Sequence, residues 1–157
     1  MSRFIYQFLA MSLQEKLCHT ATFVILSILR VSTRVVPLTT LLYLSGMRRA
    51  IDDGKAVNPL DINLAHRIGE TVTSVASHTP WKSPCLDRAL CTAWILRFYT
   101  ISCVLRIGTR HTGDSLNAHA WITVEDEPII GGHGIESFNL LAEFSSGKHV
   151  GPVHGIT

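Results

Sequence analysis

The sequence predicts an α+β fold in which helices come first and an antiparallel sheet follows, and a change of period carries that prediction. From Leu13 to about Tyr99 the apolar residues recur at the spacing of amphipathic helices. From Ile101 to Ile130 they alternate between polar turns, which is the spacing of strands. With 157 residues, 46% of them hydrophobic, the chain can bury one core without disulfides or metal, so a single domain over 1–157 is expected. Within it, 1–50 reads as an N-terminal helical subregion and 58–145 as the core that carries the chemistry.

Taken in order, the opening Met1-Ser2-Arg3 and the apolar Phe4 to Leu9 look superficially like a signal peptide. Gln14-Glu15-Lys16 follows without a small-residue cleavage site, so the stretch is assigned to the folded chain. From Leu13, the residues Leu17, Ala21, Val24, Ile25, Ile28, Val31 and Val35 define the apolar side of a long helix, with Gln14, Lys16, Arg30 and Arg34 between them. Its most apolar run, Ala21 to Leu29, is closed by Arg30 and Arg34, well short of the ~20 residues that span a bilayer. Pro37 ends or kinks this helix, and Leu38 to Leu44 forms a second one closed by Gly46. The pair reads as a helical cap on the domain, with docking to a partner or to a membrane surface as the other reading.

Ile51 to Ala56 is a polar turn between the subregions. Asn58-Pro59 then starts a helix with Asp61 in its first turn and Ile62, Ala65, Ile68, Val72 and Val75 on its apolar face. Ser77 to Lys82 is a loop with Pro80 and a potentially exposed Trp81. It leads into a helix in which Ser83 is the cap, Pro84 the first helical residue, and Leu86, Ala89, Leu90, Ala93 and Trp94 the buried face. Ile101 to Ile107 is a strand ended by Gly108, Thr109 to Asn117 a loop, and Ala118 to Val124 a second strand. Glu125 to Pro128 turns the chain, Ile129-Ile130 returns before Gly131-Gly132, Phe138 to Phe144 packs one more short element, and Ser145 to Thr157 is a loose tail.

A net charge of +2, with Arg48-Arg49 too short for a basic patch, sets nucleic acid aside. The four cysteines, Cys18, Cys85, Cys91 and Cys103, make neither a CxxC pair nor a disulfide framework, which fits a reducing cytoplasm. Cys91 and Cys103 fall on core positions. Cys85, in contrast, falls in the first turn of a helix, where unpaired backbone N–H groups and the helix dipole favour thiolate over thiol. A cysteine there can equally be a small buried hydrophobe.

Thiol catalysis needs an imidazole within reach of the sulfur. His119 is the best placed, because period two puts His119, Trp121 and Thr123 on one sheet face, where a packed helix can meet the ring. Trp121 would shield such a pair from water. A histidine on a strand can also be purely structural. His111 and His133 flank the strands and could join His119 and Cys85 around zinc, but no pair has a convincing ligand spacing, so neither metal nor cofactor is assigned.

Cys85-Leu86-Asp87-Arg88-Ala89-Leu90, then Leu105-Arg106-Ile107-Gly108, then Ala118-His119-Ala120-Trp121, resemble the transglutaminase-like B2 proteins of lasso peptide biosynthesis, as do Ile129-Ile130-Gly131-Gly132 and Leu140 to Phe144. The resemblance implies a papain-like core and a cysteine protease that hydrolyses the leader from a ribosomally made precursor peptide, with Cys85 and His119 catalytic and no cofactor. It also implies two partners besides the precursor: a separate leader-recognition protein, because the small recognition domain fused ahead of some relatives is not seen here, and a lasso cyclase. Such recognition partners hold an extended peptide by adding it to a sheet edge. The family pattern can include an acidic residue on the strand after the histidine, and Gly131 and Gly132 stand there instead. Glu125, Asp126 and Glu127 read as a solvated turn, so Glu136 or a backbone carbonyl is left to orient the ring. The Cys85 N–H, with a second donor from the preceding loop for which Trp81 is the candidate, would form the oxyanion hole. Arg88 reads as a structural ion pair. Two rivals remain open: a non-catalytic peptide-binding subunit with an incidental cysteine, and a membrane-surface scaffold built on the N-terminal helices.

Overall fold

The computed structural model describes residues 12–49, 59–112 and 115–146. The N-terminal segment, the 51–56 turn, the Asn58 cap and most of the tail lie outside the described residues. Helix α1 spans Leu13–Val35 and opens with a reciprocal cap: the Glu15 N–H donates to Ser12 Oγ, and the Ser12 N–H donates to Glu15 Oε2 at 2.9 Å. It stops at Val36, since Pro37 has no N–H to continue it. Helix α2, Leu38–Leu44, is closed by Gly46 at φ +68°. A two-residue strand β1, Arg48–Arg49, follows, which sequence periodicity had no means of finding. Helices α3, Pro59–Ser77, and α4, Cys85–Phe98, complete the helical layer.

The second layer is a five-stranded antiparallel sheet of β1, β2 (Val104–Thr112), β3 (Ser115–Val124), β4 (Glu127–Ile130) and β5 (Asn139–Ser145), in the order β1-β5-β2-β3-β4. A single 3-10 turn, Ile135–Ser137, precedes β5. The β3–β4 turn sets Glu125 at φ 50° and Asp126 at φ 64°, the left-handed pair that matches strand twist in a two-residue hairpin. Arg106 of β2 ties this turn to β5, meeting Asp126 and Glu143 at 2.6 Å each.

Two expectations are corrected here. The β2 strand does not end at Gly108 but continues to Thr112, and β3 begins at Ser115, so the expected 109–117 loop is the extended tip of a hairpin. Residues 115–118 of β3 are all exposed, so no face is buried and no hydrophobic alternation marks the strand. Gly108 instead serves a close approach: a Cβ there would lie 3.0 Å from the Trp121 ring and 3.1 Å from the Asn139 carbonyl, at the β-bulge between β2 and β5.

The second correction concerns α1. Its core face is Thr22, Leu26 and Leu29, whereas Leu17, Val24, Ile28, Val31 and Val35 of the expected apolar side face solvent. The helix is apolar around most of its circumference, and polar contacts break the tie. Arg30 and Thr33 face inward because Asp87 of α4, only 2% exposed, accepts a hydrogen bond from Thr33 Oγ1 at 3.1 Å and lies 3.7 Å from Arg30. No helix among the described residues is long and apolar enough to cross a membrane.

Helix α4 is the centre of the core. Ala89, Leu90, Cys91, Ala93 and Leu96 are each fully buried, and the helix packs on α1 and α3 on one side and on β3 on the other. The α3 face follows the expected pattern, with Ala65, Ile68, Val72 and Val75 buried. Gly69 admits β4: a Cβ there would stand 2.4 Å from the Ile129 carbonyl oxygen.

Burial raises the Asp87 carboxyl above its ordinary value of 3.8, and the Thr33 hydroxyl and Arg30 offset this only in part. The folded state therefore holds this proton more tightly than the unfolded chain. Its ionised form costs stability that is fully felt above the raised pKa and is relieved as pH falls towards 3.8. Urea unfolding of the wild type, referenced to Asp87→Asn, should accordingly show a more favourable difference at about pH 4 than at about pH 7. A reversed dependence would mean that Arg30 stabilises the carboxylate more than burial penalises it.

Candidate active site

Cys85 is the first residue of α4. Pro84 occupies the cap position with ψ at 160°, an extended value that keeps it out of the helix, and it contributes no side-chain cap bond. The helix thus starts one residue later than the sequence suggested. Ser83 is not its cap, since its hydroxyl is turned to Thr79 Oγ1 at 3.1 Å. The first helical bond runs from the Arg88 N–H to the Pro84 carbonyl at 3.2 Å, which leaves the Cys85 N–H among the amides that have no acceptor within the helix.

All four cysteines are free thiols. Cys85 is half-buried against the core, Cys18 is exposed, and Cys91 and Cys103 are buried as expected. Burial pushes the Cys91 thiol up to about 12 and the Cys103 thiol up to about 11, the latter moderated by Ser146. Neither is therefore a thiolate at neutral pH.

His119 lies midway along β3, the strand on which α4 packs, opposite Gly108 of β2. Its Nε2 is 2.7 Å from the carbonyl oxygen of Gly131. A carbonyl only accepts, so Nε2 carries the proton and donates, and in the neutral ring Nδ1 holds the lone pair. Trp121 stacks with the imidazole at 5.9 Å between centroids and 21° between planes, and Phe138 packs at 5.2 Å. Arg110 in turn lies 4.6 Å over the Phe138 ring. Of the two orienting groups left open by the sequence, the backbone carbonyl holds the ring, while Glu136 is exposed and unbonded to it.

Gly131 is fitted to that task. It sits at φ +74°, and a Cβ would come 2.9 Å from the Ala120 carbonyl, 3.1 Å from Trp121 Cβ and 3.3 Å from His119 Nε2. Phe138 and the Gly131 carbonyl were not singled out in the sequence. The one available signal was the Gly131-Gly132 pair directly after β4, which asks for a left-handed turn or a close approach.

The elements bearing Cys85 and His119 pack on each other, but through Ala120, Ile122 and Val124 of β3, which join the core against which Cys85 lies. The His119 ring stands on the alternate face with Trp121 and Phe138, contrary to the expectation that the packed helix meets it, and no hydrogen bond joins the two side chains. The other candidates sit elsewhere. Asp126 is engaged by Arg106 and Glu127 by His66, at 2.6 and 2.8 Å. Arg88 has no ion-pair partner among the described residues, contrary to expectation; the adjacent Asp87 makes the pair with Arg30 instead. Trp81 is half-buried rather than exposed, 5.7 Å from Phe23. Among the described residues, no three His, Cys, Asp or Glu side chains gather in a way that could hold a metal ion.

A helix-first thiol and an imidazole fixed on the packed strand invite comparison with known families. The sequence model of the transglutaminase-like superfamily matches residues 25–143, from the middle of α1 into β5. The chain belongs to the transglutaminase-like superfamily. No curated protein and no solved structure matches it. The transglutaminase-like assignment agrees with the α+β architecture, and it embraces both cysteine peptidases and acyltransferases. Both chemistries begin with a thiolate attacking a carbonyl carbon.

Two outcomes test this geometry. Iodoacetamide at neutral pH should modify Cys85 and the exposed Cys18 in the native protein, but Cys91 and Cys103 only after denaturant is added, as read by peptide mass mapping. Gly131→Ala should displace the ring, moving the His119 imidazole signals in NMR and costing roughly 1–3 kcal/mol in urea unfolding. Unchanged His119 signals would show that the carbonyl does not set the ring.

Proposed function

We propose that this transglutaminase-like chain is the leader peptidase of a lasso peptide pathway, hydrolysing the leader from its precursor with Cys85 as nucleophile and His119 as base. The supporting observation is the His119–Gly131 bond. It commits Nε2 as donor and leaves Nδ1 as the basic nitrogen, on the strand that packs against the Cys85 helix. The motif resemblance around Cys85 and His119 supplies the substrate class, which the superfamily by itself does not.

In this mechanism Nδ1 takes the Cys85 proton and the sulfur attacks the scissile carbonyl carbon. The electron pair moved onto oxygen is met by the Cys85 N–H. Collapse breaks the C–N bond, and the imidazolium gives its proton to the departing amine, which is the N-terminus of the core peptide. The leader remains as a thioester on Cys85. Water, deprotonated by Nδ1, then attacks that thioester and releases the leader carboxylate and the thiol. The mechanism requires the His119 ring to leave its place beside Trp121 and Phe138 and bring Nδ1 within hydrogen-bond reach of Sγ when peptide binds.

On this reading a separate recognition protein delivers the leader, a lasso cyclase consumes the freed core amine, and the setting is the cytoplasm. The solvent-facing apolar side of α1 favours a second reading, a scaffold that docks on a partner or a membrane surface, with which peptidase activity is compatible.

Cys85→Ala should fold as the wild type does and abolish leader removal in the presence of a leader-binding partner. His119→Ala should lower the rate by a factor on the order of 10² to 10⁴. Both are read by mass spectrometry of the precursor. Cleavage that persists in Cys85→Ala would reject the thiol mechanism.

A further inference from the structure

Beside the start of α4 lies an open pocket of about 600 Å³ that no step of the mechanism uses. Arg30, Lys82 and Arg88 line it, together with Trp81, Ser83 and Pro84. No Asp or Glu lines it, and Lys82 and Arg88 have no carboxylate partner among the described residues. Only Arg30 is partly neutralised, by Asp87 at 3.7 Å. Two donors on its lining residues, the Trp81 indole Nε1–H and the Arg88 Nε–H, are buried without an acceptor. Buried donors are nearly always satisfied, by protein, water or ligand. Three cations thus line a space that lacks an anion, beside two orphaned donors.

We propose that this pocket binds a carboxylate side chain of the peptide substrate, in the segment that lies next to the scissile bond. The inference rests on the peptidase reading for its link to a substrate, because Ser83 and Pro84 lead directly into Cys85. The planar guanidinium groups of Arg30 and Arg88 suit a planar carboxylate, and Trp81 lines the same space. An acidic residue seated there anchors the peptide one side of the nucleophile and selects against neutral and basic side chains at that position.

The test uses the full chain carrying Cys85→Ala, so that cleavage plays no part, labelled with ¹⁵N and titrated with the amide of N-acetylglutamic acid. The neutral control is the amide of N-acetylglutamine. The reporter is the Trp81 indole N–H signal, assigned through Trp81→Phe. The acidic probe should shift it saturably and the neutral probe should not. Arg88→Gln and Lys82→Gln should each weaken the acidic probe, by roughly tenfold for the first. Lys82 is exposed, so its variant carries the test if Arg88→Gln disturbs the fold, which the Trp94 and Trp121 indole signals report. Equal shifts with both probes, or affinity unchanged by these substitutions, would overturn the proposal. Tighter binding of inorganic phosphate than of the carboxylate would overturn it too, by assigning the pocket to a tetrahedral anion. Acid-selective binding in a chain whose wild type never cleaves a precursor would leave the pocket standing and remove the peptidase reading alone.

Discussion

Helix α4 is enclosed on nearly every side, and the position of everything else follows from that enclosure. A helix with Ala89, Leu90, Cys91, Ala93 and Leu96 all out of water cannot slide or rotate without opening cavities against both layers. Hydrophobic packing by itself does not specify rotation well when the apolar surface runs all the way round. The Asp87 carboxylate supplies the missing direction, because it has to meet Thr33 and Arg30 of α1. One polar contact thus determines which side of α1 faces in and where residue 85 begins.

The imidazole is fixed by a different means. Hydrogen bonding to a main-chain oxygen selects the tautomer, and two aromatic rings restrict the plane. The β3–β4 hairpin and its left-handed exit at Gly131 bring that oxygen to the ring. Gly69 of α3 lets the hairpin lie close enough to hold its place. Sequence, turn geometry, packing and the protonation pattern of one side chain are therefore links of a single chain of causes.

Much of this was legible in the sequence and some of it could not be. The α+β order, the extents of α1 to α4 within a few residues, the α3 face and the burial of Cys91 and Cys103 followed from periodicity. The α1 face did not, because Val24, Ile28 and Val31 are as apolar as Leu26 and Leu29. The decision between them is made by Asp87, more than fifty residues away. Gly108 was read as a strand end because glycine usually interrupts, whereas here it yields room to the Trp121 indole. The hairpin tip was read as a loop because both of its sides face water. Cys85 and His119 stood out by residue type and position, but the Gly131 carbonyl that holds the ring belongs to the backbone, and no side-chain pattern announces it.

An orienting group drawn from the main chain has no codon of its own. Inventories that look only for an Asp, Glu or Asn after the histidine would miss that the ring in this protein is already oriented, by a main-chain oxygen. The distinguishing mark of such a lineage would be a glycine whose shape, rather than whose chemistry, is under constraint.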